Sequence, residues 1–69
     1  MPNHVYKLIK LVGSSPVSTD EAIKNAVAKA GGTIHNMRWF QVVETRGHID
    51  KGAVAHFQVT IEVGFTIDE

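Results

Sequence analysis

The chain has 69 residues, seven basic and seven acidic side chains, four histidines and no cysteine. Disulfides are therefore excluded, and neither the balanced charge nor any basic stretch offers an electrostatic footprint for nucleic acid or for a membrane surface. A hydrophobic content of 43% with 20% charged residues reads as a folded chain, not a disordered one.

Residues 4–13, HVYKLIKLVG, are rich in β-branched and large apolar side chains and predict a first strand. Val5, Ile9 and Leu11 fall on one parity, Tyr6, Leu8 and Val12 on the other, so both faces are expected to be covered. Gly13-Ser14-Ser15-Pro16 is expected to break that strand. Ser18-Thr19-Asp20-Glu21 fits a capping box, in which the Ser18 hydroxyl accepts the Glu21 N–H and the Glu21 carboxylate accepts the Ser18 N–H. A helix from Thr19 to Ala30 follows. Its apolar stripe is Ala22, Ile23, Ala26, Val27 and Ala30, with Lys24, Asn25 and Lys29 facing out. Most of the stripe is alanine, which lets the helix lie close to a sheet. Gly31-Gly32 is read as a left-handed stop.

Residues 38–49 predict a second strand and residues 53–65 a third, with Asp50-Lys51-Gly52 as the turn between them. The third strand alternates strictly: Ala53, Ala55, Phe57, Val59, Ile61, Val63 and Phe65 share one face, and Val54, His56, Gln58, Thr60, Glu62 and Gly64 share the other. A three-residue loop sets Thr45 opposite Phe57 and Val43 opposite Val59 on the helix side, with Glu44 opposite Gln58 and Arg46 opposite His56 on the other. A two-residue loop would instead place Glu44 and Arg46 in the core and is rejected. The fold class expected is α+β, ordered β-α-β-β as one domain over 1–69, with the third strand between the other two and antiparallel to both.

Length bounds the energetics. Surface scaling gives a folded area of about 4,300 Å². Apolar burial then contributes roughly 100 kcal/mol, and ordering the chain costs about the same. A solitary chain is marginal, and partner copies are the remaining source of stability. Met1-Pro2-Asn3-His4 lacks the regions of a signal peptide, and no apolar run is long enough for a bilayer span, so a cytoplasmic protein is expected.

Three side chains stand out. Trp39, the sole tryptophan, sits where the second strand begins; residue physics leaves open a core aromatic and a stacking platform. Gln58 interrupts the polar face of the third strand with a planar amide that offers both donor and acceptor. Arg46 is either a surface charge paired with Glu44 or Glu62, or a guanidinium for a phosphate or ring edge. His4, His35, His48 and His56 form no metal-ligand pattern, and no bound metal is expected. No nucleophile with a positioned base and no phosphate loop is present in the sequence.

The run Asn36-Met37-Arg38-Trp39-Phe40-Gln41-Val42-Val43-Glu44-Thr45-Arg46-Gly47-His48-Ile49 resembles the central signature of the dodecins. So do the segment from Val54 to Phe65, the opening His4-Val5-Tyr6-Lys7 and the Leu11-Val12-Gly13 before the helix. The resemblance covers nearly the whole chain. It implies a sheet partly wrapped around its helix, and a hollow dodecamer. It also implies pairs of flavin rings stacked between tryptophans of two subunits on two-fold axes. Trp39 matches that tryptophan, Gln58 the glutamine that bonds the polar ring edge, and Arg46 an arginine near the ligand. Riboflavin, FMN and FAD are the implied ligands, and flavin storage, with quenching of flavin photochemistry and no turnover, is the implied role. One departure is Thr66, where many bacterial members carry a basic residue that helps hold a phosphate. That removes the implied basis for preferring phosphorylated flavin and for binding coenzyme A. Two other classes remain as alternatives: an oligomeric scaffold for another planar ligand, and a flavin enzyme with His56 or Glu44 as proton donor.

Overall fold

A computed structural model describes residues 5–67. The elements are β1 (Tyr6–Ser15), α1 (Thr19–Ala30), β2 (Met37–Asp50) and β3 (Ala53–Thr66), in one sheet of order β1-β3-β2. Both outer strands run antiparallel to β3, as the crossover through the helix requires. His4, the expected start of the first strand and one of the four histidines, lies outside the described residues, as does the leader expectation for Met1 to His4.

The helix forms where its stripe places it. Ala22, Ala26 and Ala30 are buried, and Lys24, Asn25 and Lys29 are exposed. Small side chains permit a close approach: a Cβ at Gly13 of β1 would collide with the carbonyl oxygen of Ala22 and lie 2.9 Å from the Cβ of Ala26. The core is Ala22, Ala26, Val59, Ile61 and Val63, with Ile9, Leu11, Ile23, Val27 and Met37 packed around it. Phe57 and Phe65, on the same face of β3 as Val59, Ile61 and Val63, are only half-buried.

Local expectations are corrected at three places: the β1–α1 junction, the end of α1 and the hairpin. β1 does not break at Gly13 but runs on to Ser15, paired with Phe57. The reason is that Ser15 is itself part of the cap. The Ser18 hydroxyl accepts the Glu21 N–H at 3.0 Å, but the Glu21 carboxylate accepts the Ser15 hydroxyl at 2.8 Å instead of the Ser18 N–H. The buried Ser15 Oγ in turn accepts from the N–H of Val17 at 2.9 Å and of Ser18 at 3.5 Å. The helix also does not end on a left-handed glycine. Gly31 is helical, at φ −61° and ψ −19°, and the orphan carbonyls are met by successive turns, including Ile34 N–H to Ala30 at 2.8 Å. The left-handed residue is Asn36, φ 66°, just before β2, a conformation asparagine tolerates better than most residues.

The hairpin register is the third correction. Lys51 and Gly52 both have positive φ, 53° and 79°, the mark of a two-residue type I′ turn, whose twist suits the flanking strands. The observed pairs are Glu44 with Thr60, Thr45 with Val59, Arg46 with Gln58, Gly47 with Phe57 and His48 with His56. The expected pairs Thr45–Phe57, Val43–Val59, Glu44–Gln58 and Arg46–His56 do not occur. Beyond His48 the partner steps from His56 to Val54 while β2 advances one residue to Ile49. Ala55 is therefore an extra residue, a bulge that restores parity. It lets the two-residue turn coexist with Glu44 and Arg46 on the face away from the helix.

The helix covers β1 and β3, and β2 is left open. From Arg38 to Ala55 every residue is exposed, Ile49 to 79%. The radius of gyration is 14.4 Å, against about 11 Å for a compact chain of this length. The accessible area, 5144 Å², exceeds the ~4,300 Å² of a compact monomer.

Candidate functional site: the outer face of the sheet

Pairing and alternation decide which side chains share the face turned away from the helix. On β3 they are His56, Gln58, Thr60, Glu62 and Gly64. Opposite these on β2 stand His48, Arg46, Glu44, Gln41 and Trp39. Leu8 of β1 also pairs with Gly64, and Tyr6 with Thr66.

Trp39 and Arg46 are seven residues apart, so a regular strand would send them to opposite faces. They share a face because of a bulge. The ladder steps from Val42–Ile61 to Glu44–Thr60, leaving Val43 as an extra, exposed residue. A second irregularity leaves out Arg38 between Met37–Phe65 and Trp39–Gly64. The sequence signal was the odd spacing itself: two site candidates of opposite parity on one strand require an inserted residue between them.

Trp39 is not a core residue. It is 41% exposed, its six-membered ring occupies the space that a Gly64 side chain would take, and Tyr6 meets it edge-on, centroids 5.9 Å apart at 62°. An aromatic edge against an aromatic face is a favoured geometry, and it orients the indole. A groove lined by Val27, Met37, Arg38, Trp39, Phe40 and Val63 borders this residue; it reaches neither Arg46 nor Gln58.

Arg46 and Gln58 form one rung of the ladder. The Arg46 guanidinium donates to the Glu44 carboxylate at 3.3 Å, with both side chains at least half exposed. A pair so exposed adds little to stability and holds the guanidinium over the strand. Trp39 stands apart from this rung. Gly64, its partner, is six residues from Gln58, or about 20 Å along the strand. One protomer thus brings Arg46 and Gln58 together and leaves Trp39 at the far end of the same face. Thr66 closes β3 beside Tyr6, its N–H donating to the carbonyl of Asn36 at 3.2 Å. Of the histidines, His48 and His56 are directly opposite, contrary to the expected register, and stack at 4.4 Å; His35 is exposed in the segment before β2.

The arrangement defines a small α+β protein with one helix on a three-stranded antiparallel sheet and an oriented, half-exposed indole on the sheet's outer face. A family model described as Dodecin matches residues 5–68, and the chain belongs to the dodecin family. It is 43% identical to the dodecin of Thermus thermophilus over 65 residues, 94% of each chain. The solved dodecin from Streptomyces davaonensis superposes with a TM-score of 0.94 at 48% identity, covering 99% of this chain and 100% of that one. A calcium dodecin from Mycobacterium tuberculosis, described as calcium chelating, matches at a TM-score of 0.81 and 30% identity, over 93% of this chain and 91% of its own. Among the described residues no helix is long and apolar enough to cross a membrane.

Proposed function

We propose that this chain stores and buffers flavin, holding riboflavin, FMN or FAD against Trp39 without turnover and quenching the bound flavin's photochemistry. The observation that carries this reading is the indole: half-exposed, backed by the bare backbone of Gly64 and braced by Tyr6. A flat, preformed apolar surface gains dispersion and burial on stacking at little entropic cost. An electron-rich indole against an excited flavin donates an electron and takes it back, which darkens the flavin.

The strand geometry supports a site shared between copies. No single tricyclic ring spans the ~20 Å between Trp39 and the Arg46–Gln58 rung. A two-fold axis that sets two outer faces antiparallel brings one copy's Trp39 toward the other's Arg46 and Gln58, where an amide edge and a guanidinium suit a polar ring edge. The exposed Phe40, Val42, Val43, Ile49 and Val54 and the surplus area support a homo-oligomer; the dodecamer is the assembly proposed, on the family resemblance. A calcium-holding role, suggested by the mycobacterial relative's name, has less support in the protomer. Calcium takes about six to eight oxygen ligands, and among the described residues no group of three or more acidic or histidine side chains converges.

The test is fluorescence titration of the purified assembly with riboflavin, FMN and FAD, alongside its mass in solution. Wild type should darken the flavin as it binds. Trp39→Ala should bind more weakly and leave any bound flavin fluorescent. A variant that binds as tightly as wild type and stays dark would defeat the reading.

A further inference from the structure

We propose that His48 and His56 form a two-imidazole chelate for a divalent transition-metal ion of the zinc, nickel or copper class. The two residues are direct partners in the β2–β3 ladder, and their rings stack face to face, centroids 4.4 Å apart and planes inclined by 21°. They make the last regular rung before the Ala55 bulge. The backbone therefore fixes where both side chains begin.

The distances suit a shared ion. Metal–imidazole bonds of about 2.0–2.1 Å place two ligand nitrogens on one ion roughly 3.3 Å apart. Directly opposed strand residues have Cβ atoms about 4.5–5.5 Å apart, and the ring centroids here are 4.4 Å apart, within reach of a common ion once the rings turn out of the stack. Rotation about the outer side-chain bonds turns the two nitrogens toward a common point. His48 is exposed and His56 half-buried, so that rotation displaces no core residue. The neighbouring cation on this face, Arg46, is engaged by the Glu44 carboxylate at 3.3 Å, which weakens its repulsion of an incoming ion.

Imidazole selects zinc, nickel and copper over the hard cations, with copper(II) favoured among them. Calcium and magnesium, which take oxygen ligands, are not held here. Among the described residues no third histidine, cysteine or carboxylate joins the pair, so water completes the coordination. Once one imidazole has bound, the strand pairing holds the second at high effective concentration. The chelate uses neither Trp39 nor Gln58 and stands independently of the flavin reading.

The experiment uses the full-length, flavin-free, chelator-stripped protein, titrated calorimetrically with Ni²⁺, Cu²⁺ and Zn²⁺, with Ca²⁺ and Mg²⁺ as controls. The three transition ions should bind wild type and the controls should not bind at this rung. His48→Ala and His56→Ala should each weaken binding by about 100-fold, the loss expected when a two-point chelate becomes a single contact. His35→Ala should leave it unchanged. Should a variant fail to fold, paramagnetic broadening by Cu²⁺ in the wild-type NMR spectrum decides the matter: it should fall first on the ring protons of His48 and His56 together. Absence of transition-ion uptake by wild type, uptake unaffected by either substitution, or broadening that spares the pair overturns the proposal.

Discussion

The six-membered ring of Trp39 fills the place where a side chain at Gly64 would stand. The glycine is thus half of the indole's seat, and Tyr6 the other half, since its ring meets the indole edge-on. A methyl group at residue 64 forces the ring off the sheet. Gly64→Ala should shift the tryptophan emission spectrum, abolish flavin quenching, and destabilise the protein by about 1–3 kcal/mol, as overpacking does. An unchanged emission spectrum and melting temperature would show that the indole does not depend on this glycine.

Gly13 faces backbone, not a movable ring. A Cβ there meets the Ala22 carbonyl and the Ala26 methyl, and neither can rotate away. Gly13→Ala should push α1 off β1 and cost at least the ~1–3 kcal/mol typical of an overfilled core. Melting at matched protomer concentration checks this, because assembly couples stability to concentration. A melting temperature within a degree or so of wild type would contradict it.

The turn offers a gain. Lys51 holds φ at 53°, a conformation that costs an ordinary L-residue roughly 1–2 kcal/mol and that asparagine tolerates. Lys51→Asn creates the Asn-Gly pair that two-residue hairpins favour. It should stabilise by several tenths of a kcal/mol up to about 1 kcal/mol, read as a raised melting temperature. A lowered one would mean that the lysine side chain makes a contact worth more than the turn.

Ser15 is only 2% exposed and serves three partners: it donates to Glu21 and accepts from Val17 and Ser18. Ser15→Ala orphans these groups at the start of the helix. It should cost about 1–3 kcal/mol, the penalty of unsatisfied buried polar groups, and exceed the ~1 kcal/mol expected for removing the Ser18 cap. Equal effects of Ser15→Ala and Ser18→Ala would refute that ranking.

The sequence made α1 legible because capping serine, alanine stripe and terminal glycines all bear on the same twelve residues. The alternation of β3 likewise identified the strand buried in the middle of the sheet. Register was not legible, because it depends on bulges, and no residue type announces Val43 or Ala55 as the one left unpaired. The cap was half legible. Its second acceptor went to Ser15, which reads as a strand breaker until the strand is seen to continue beneath the helix. For the site, Trp39, Arg46 and Gln58 were legible by residue type. Which of them are neighbours was not, since the ~20 Å between Trp39 and Gln58 emerges only from the pairing.

The unpaired residue at Val43 has a consequence for how this strand can change over evolution. Substitutions along β2 alter one side chain at a time, but loss of a single residue between Trp39 and Arg46 would swing the indole to the opposite side of the ribbon. The length of that stretch is therefore under a constraint that composition is not. Additions are expected to accumulate at the Lys51-Gly52 tip, where they leave the phase of both arms intact.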